Sequence, residues 1–190
     1  PEGFVCATED KHEKTVMDLL GDDIKRKDIF PAGRLDKDTT GMVLITNDGT
    51  LSHRILSPKK HIPKYYIVKL AESFQEDYVR QFAEGVIIDG GEKCLPAKVK
   101  RFPDCEKTAF IELHEGKYHQ IKRMFSAVEN SVEKLCRIQM GGLLMPEKLA
   151  IGEYMEIMHK DVENLLKSQC FEEVFRNITE NFSSYWINMQ

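Results

Sequence analysis

Arg34 and Asp36 stand two positions apart in Gly33-Arg34-Leu35-Asp36-Lys37-Asp38-Thr39-Thr40-Gly41, directly ahead of the apolar run Met42-Val43-Leu44-Ile45. A carboxylate with a cation nearby stays ionised at neutral pH, as a nucleophile or base must. The flanking glycines permit positive φ or close approach of the backbone to a ligand. The hydroxyls of Thr39 and Thr40 can tie the turn to its own backbone. An isolated R-x-D is commonest as a solvated surface turn, because loops are polar for solubility as well as for function. Two bracketing glycines and a following strand predict instead a held loop that presents one aspartate.

Other chemistries find less support. The six histidines show neither HExxH nor Cys/His spacing, so no metal site is expected. A phosphate-cradling glycine loop and a G-x-S-x-G elbow are both missing from the sequence, which disfavours nucleotide hydrolysis and triad acyl transfer. The net charge of −4 argues against a polyanionic partner, but the distribution argues for one. Residues 53–69 hold five basic residues (Arg54, Lys59, Lys60, Lys64, Lys69) and no acid, with Tyr65 and Tyr66 among them, whereas residues 72–92 hold six acids and one arginine. A polyanion responds to the local face, not to the sum. A carboxylate, cations, aromatics and a basic segment suit chemistry on a nucleic-acid base.

The elements that must position these groups read as α+β, a mixed and largely antiparallel sheet flanked by helices, because strands and helices mix without a βαβ rhythm. Short strands are expected at 4–7 and 42–46, the latter closed by a turn at Asn47-Asp48-Gly49, with helical turns at 15–20 and 51–56. Residues 65–70 alternate like a half-buried strand, 75–84 carry helical spacing, and 86–88, 97–102 and 109–114 are β-like. Ile121, Met124, Phe125 and Val128 at i, i+3, i+4 and i+7 mark a helix over 118–128, with Lys122 and Arg123 just off its buried stripe. Strands are expected at 132–140 and 154–157, and two amphipathic helices beyond Asp161.

At 190 residues the chain has material for one compact domain, and it has no apolar run long enough to span a membrane. Five cysteines without a close pair fit reduced thiols and a cytoplasmic setting. The start at Pro1, without an initiator Met or signal pattern, suggests a piece of something longer.

Several motifs in unbroken order then resemble the Rsu-type bacterial ribosomal RNA pseudouridine synthases. They are the Gly33-to-Gly41 motif, Thr46-Asn47-Asp48-Gly49, Ser52-His53-Arg54, Lys64-x-Tyr66, Glu115-Gly116-Lys117-Tyr118-His119-Gln120-Ile121-Lys122-Arg123-Met124-Phe125, Gly141-Gly142 and Gly152-Glu153-Tyr154. The Tyr118-His119-Gln120 form is similar to the branch acting on small-subunit RNA. The resemblance implies a catalytic domain over 1–158 and a helical extension over 159–190. It also implies that a small amino-terminal RNA-binding domain, usual in the family, is absent from this chain.

The same resemblance makes Asp36 the catalytic aspartate, Tyr66 the ring that stacks on the target base, and Lys122 the cation paired with the aspartate. Tyr65 is the alternative to Tyr66, and spacing from Lys64 favours the latter. Arg34, Leu35, His53, Arg54, Lys59, Lys60, Lys64, His119 and Arg123 fall to substrate binding. No cofactor is implied, and the expected partner is ribosomal RNA or a partly assembled subunit, met by a monomer. Rival readings are a non-catalytic RNA-binding or assembly factor of the same fold, a synthase for large-subunit RNA, and a hydrolase using Asp36 and Asp38 as a carboxylate pair.

Overall fold

The segment that organises the molecule is Lys64–Leu70, whose side chains alternate between two apolar layers. Tyr66, Val68 and Leu70 enter one core, while Tyr65 and Ile67 enter another on the opposite face. The structure, a computed structural model, describes residues 1–22, 24–25, 28–57 and 62–181. In chain order it forms β1 (Phe30–Pro31), β2 (Thr40–Gly41), β3 (Ile45–Thr46), α1 (Gly49–Leu56), β4 (Lys64–Leu70), α2 (Asp77–Glu84), β5 (Ile87–Ile88) and β6 (Glu92–Lys93). The second half adds β7 (Lys98–Phe102), β8 (Cys105–Leu113), α3 (Gln120–Ala127), β9 (Val132–Met140), β10 (Leu143–Leu144), α4 (His159–Leu165) and α5 (Phe171–Asn181).

Strands β10, β9, β4, β8 and β7 lie side by side in that order with antiparallel neighbours, and β2 adds a parallel pair on β9. The fold is therefore α+β around a mixed, largely antiparallel sheet. On one face α2 and α3 set Tyr78, Phe82, Ile121, Met124 and Phe125 against β4. On the other, α5 sets Phe171, Val174, Phe175 and Ile178 against Tyr65, Phe102 and Phe110. Each such large side chain, fully buried, contributes about 1.5–3 kcal/mol, so the sheet is held from both sides. A third cluster joins Ala32 and Leu44, which flank the Asp36 loop, to Ile55 of α1, Met140 of β9 and Leu165 of α4.

Four expectations change. Residues 65–70 are buried on both faces, not half-buried, because β4 is central and each layer of helices needs an apolar partner. Residues 154–157 form no strand; the outer edge of β9 is already taken by β2 at Cys136 and Arg137 and by β10 at Gln139 and Met140. At 4–7 only Val5 bridges, to Thr15. At 42–46 the ladder shrinks to Ile45–Thr46, and Asp48 starts a helix instead of closing a turn, its carboxylate accepting from Thr50 N at 2.8 Å and Leu51 N at 2.9 Å. Among the described residues no helix is long and apolar enough to cross a membrane.

Candidate active site

The loop at 33–41 is fixed by neighbours distant in sequence. Its tip closes as a turn, Thr39 N donating to Asp36 O at 2.9 Å. Leu35 N donates to Cys6 Sγ at 3.2 Å, and Gly3 N to Lys37 O at 2.7 Å. Gly33 and Gly41 take φ of 106° and 111°, where only glycine sits without strain. The threonines do not serve the turn as the sequence suggests. Thr40 Oγ1 donates to Leu135 O of β9 at 3.3 Å, and Thr39 Oγ1 is buried with no hydrogen-bond partner among the described residues.

Both flanks of the loop meet one side chain, Arg137 of β9, which is 2% exposed. Its Nε donates to Met42 O at 2.9 Å and its Nη1 to Arg34 O at 3.4 Å, while Met42 N donates back to Arg137 O at 2.8 Å. A buried guanidinium thus bridges the chain just before and just after the aspartate. Sequence reasoning missed it. The available signal was a full charge inside the otherwise apolar stretch Leu135-Cys136-Arg137-Ile138, since a buried charge must be satisfied by specific partners.

Helix α3 faces the loop with His119 at its start and Lys122 one turn later, a spacing that places both on one side of the helix. His119 Nε2 lies 3.6 Å from Asp36 Oδ1, and Lys122 Nζ is ion-paired with Asp38. This corrects the expected pairing of Lys122 with Asp36: the turn carries Asp38 over the lysine and leaves Asp36 opposite the imidazole. The Lys122 ammonium, despite some burial, holds the Asp38 carboxyl below the usual carboxylate range. Each carboxylate therefore has its own nitrogen-bearing neighbour, His119 or Lys122, which is not the arrangement of a carboxylate pair acting together.

The alternation of β4 separates the two tyrosines. Tyr66, 8% exposed, lies on the α3 side and shares its apolar cluster with Leu35, the residue before Asp36. Tyr65 points to the other face, its ring stacked on Phe110 at 5.8 Å and its hydroxyl donating to Gln169 O at 3.4 Å. Burial, with Glu112 adding to it, pushes the Tyr65 phenol up. Tyr65 is thus a core residue on the wrong side for the loop.

The remaining candidates divide. Arg34, His53 and Arg54 are exposed, and Lys59 and Lys60 lie outside the described residues. Arg123, expected to meet substrate, is engaged within the protein: it is ion-paired with the Asp89 carboxylate, and its guanidinium donates to Asp89 O at 2.9 Å and Tyr118 O at 3.1 Å. Lys69 lies 3.8 Å from Glu133, so it is compensated, contrary to the picture of five uncompensated charges over 53–69.

Lys64 is half-buried, donating to Ile62 O at 3.2 Å, and burial followed by the nearby Arg137 charge pushes its ammonium down to about 8 from the ordinary 10.5. The folded state therefore disfavours the charged lysine, a cost fully present below pH 8. Between pH 8 and 10.5 the unfolded chain binds more protons, so stability rises with pH through that window. Lys64→Met is expected to be more stable than wild type at neutral pH by on the order of 2–3 kcal/mol. Urea unfolding at stepped pH should show that advantage shrinking above pH 8; a constant gap would contradict the account.

Known proteins resemble this chain over most of its length. The profile of the family described as RNA pseudouridylate synthase matches residues 1–127. A Bacillus subtilis (strain 168) protein named "Uncharacterized RNA pseudouridine synthase YtzG" is 44% identical over 171 residues, covering 89% of this chain and 72% of the relative. "Ribosomal small subunit pseudouridine synthase A" of Vibrio vulnificus (strain CMCP6) is 45% identical over 168 residues, covering 88% of this chain and 72% of the relative. Among solved structures, one described as a crystal structure of pseudouridylate synthase superposes with a TM-score of 0.80 at 39% identity, covering 87% of this chain and 70% of that one. Shared sequence over most of the chain and a shared fold lead to one conclusion: this protein belongs to the RsuA-type RNA pseudouridine synthase family.

Proposed function

We propose that this enzyme isomerises one uridine, or very few, of small-subunit ribosomal RNA to pseudouridine, with Asp36 as the reacting carboxylate. The observation that carries the reading is Asp36 itself, set on a turn braced on both flanks by buried Arg137 and opposite His119. The small-subunit target rests on relatives such as the Vibrio vulnificus protein, whose name specifies that subunit.

The reaction breaks the bond from C1′ of ribose to N1 of uracil, turns the base and joins C1′ to C5. The C5 proton leaves and N1 gains one, so neither oxidant nor reductant is consumed. The reacting atoms lie inside a stacked helix, and the target must be extruded or already unpaired. Tyr66 offers its ring to the extruded base from the β4 side, in the apolar cluster against which Leu35 of the loop packs. Aromatic stacking of this kind is worth about 1–3 kcal/mol per base. Lys122 acts on Asp36 at one remove, by holding Asp38 and with it the turn.

Two measurements test this. Protein incubated with small-subunit RNA carrying tritium at C5 of uracil is expected to release the label to water. Pseudouridine mapping in cells with and without the gene is expected to show one site, or very few, lost from small-subunit RNA. A lost site confined to large-subunit RNA would move the target to that subunit. RNA binding without tritium release from any ribosomal RNA would leave a protein that has kept the fold without the chemistry.

A further inference from the structure

We infer that the outer face of Tyr118 is a binding site for an unpaired nucleobase next to the target uridine in the RNA strand. The inference rests on Asp36 being the reacting carboxylate. Tyr118 is 75% exposed, whereas tyrosine ordinarily buries most of its ring. It is nevertheless placed: its ring lies flat on the His119 imidazole, with centroids 3.8 Å apart and planes 18° from parallel. His119 in turn approaches Asp36 to 3.6 Å. A stacked column therefore runs outward from the carboxylate, and its last surface is an open aromatic face.

The platform is braced from below. Arg123 Nη1 donates to Tyr118 O at 3.1 Å while the same guanidinium is anchored on Asp89. The Gln120 side chain accepts from Lys117 N at 2.9 Å and donates to Glu115 at 2.7 Å, which fixes the chain on both sides of the tyrosine. An aromatic face already held in position loses little entropy when a ligand stacks on it. Its immediate chain neighbours are Gly116, Lys117 and His119, of which the lysine and histidine are polar groups of the kind that accompany a stacked base on a nucleic-acid surface. Extruding a uridine strips one stacking face from each neighbouring base, and every base has a π-face that a tyrosine can cover. The fitting occupant is the base beside the one that Asp36 attacks.

The test uses the whole chain and a short synthetic RNA containing the mapped uridine, with variants in which the base on its 5′ or 3′ side is removed. Tyr118→Phe is expected to match wild type in tritium release. Tyr118→Ala should lose about 5- to 150-fold in kcat/KM, with KM bearing most of the change. Removing the contacted base should slow wild type by a similar factor and slow Tyr118→Ala hardly further, because the two changes delete one contact. Circular dichroism establishes that the variants are folded. An unchanged Tyr118→Ala protein, or losses that simply multiply, would overturn the assignment. Failure of the underlying reading looks different: wild type itself forms no pseudouridine in the parent RNA, and both fall together.

Discussion

Asp36→Asn is expected to yield a folded protein whose turnover is lower by about four orders of magnitude, the scale on which deleting a catalytic group is felt. The substitution keeps the size of the side chain and much of its hydrogen bonding, and removes the negative charge and the oxygen proposed to react. The loop should not notice, because the bonds that hold it run through backbone atoms: Thr39 N to Asp36 O, Leu35 N to Cys6 Sγ, and Arg137 to the carbonyls of Arg34 and Met42. Asp38→Asn is the control. Its carboxylate is 69% exposed and paired with Lys122, so its loss should cost at most about 1 kcal/mol of stability and a modest fraction of activity. Single-turnover tritium release and circular dichroism on both variants decide the matter. Substantial turnover in folded Asp36→Asn, or inactivation confined to Asp38→Asn, would place the chemistry on the wrong carboxylate.

Gly41→Ala is expected to destabilise the protein strongly. The residue has φ of 111°, a conformation that strains any side chain, and a Cβ there would sit 2.2 Å from Arg137 O and 2.5 Å from Arg137 N. Those are backbone atoms of a central strand and cannot turn aside as a flexible side chain would. Backbone conformation and overpacking together should cost about 2–5 kcal/mol. Relief would require β2 to leave β9, which removes the anchor at one end of the Asp36 loop, so activity should fall in the molecules that remain folded. Gly116→Ala offers the contrast, since a Cβ there meets nothing within 4 Å and its φ is not positive. Urea denaturation curves for the two variants give the comparison, and a Gly41→Ala curve overlying wild type would show that β2 yields without cost.

Much of this architecture was legible where periodicity and burial coincide. Ile121, Met124 and Phe125 repeat at helical spacing and are all buried in α3, and 132–140 reads as a strand and is one to the residue. Legibility failed where tertiary context decides. Residues 154–157 have β character but lie outside the sheet, the outer side of β9 being taken by β2 and β10, and the Leu143–Leu144 strand was hidden beside two glycines. At the site, the motif order identified the loop, the strand and the helix that meet there. It could not tell which of His119 and Lys122 faces which carboxylate, because Asp36 and Asp38 differ by two positions in a turn whose path is set by Arg137 and Gly3. Nor did it reveal Tyr118 as a surface, since exposure of one ring is a property of the packed molecule.

The parallel pair between β2 and β9 also fixes when the site comes into being. Thr40 is tied to Leu135, and Met42 to Arg137, across 95 positions of chain in each case. Ribosomes add about 5–20 residues per second, so for roughly 5–20 seconds a growing chain carries its aspartate without the strand that aims it. Local elements such as α1 form quickly on that timescale, while the loop waits for its distant partner. The turn that carries Asp36 therefore gains its long-range anchor only once β9 has been made.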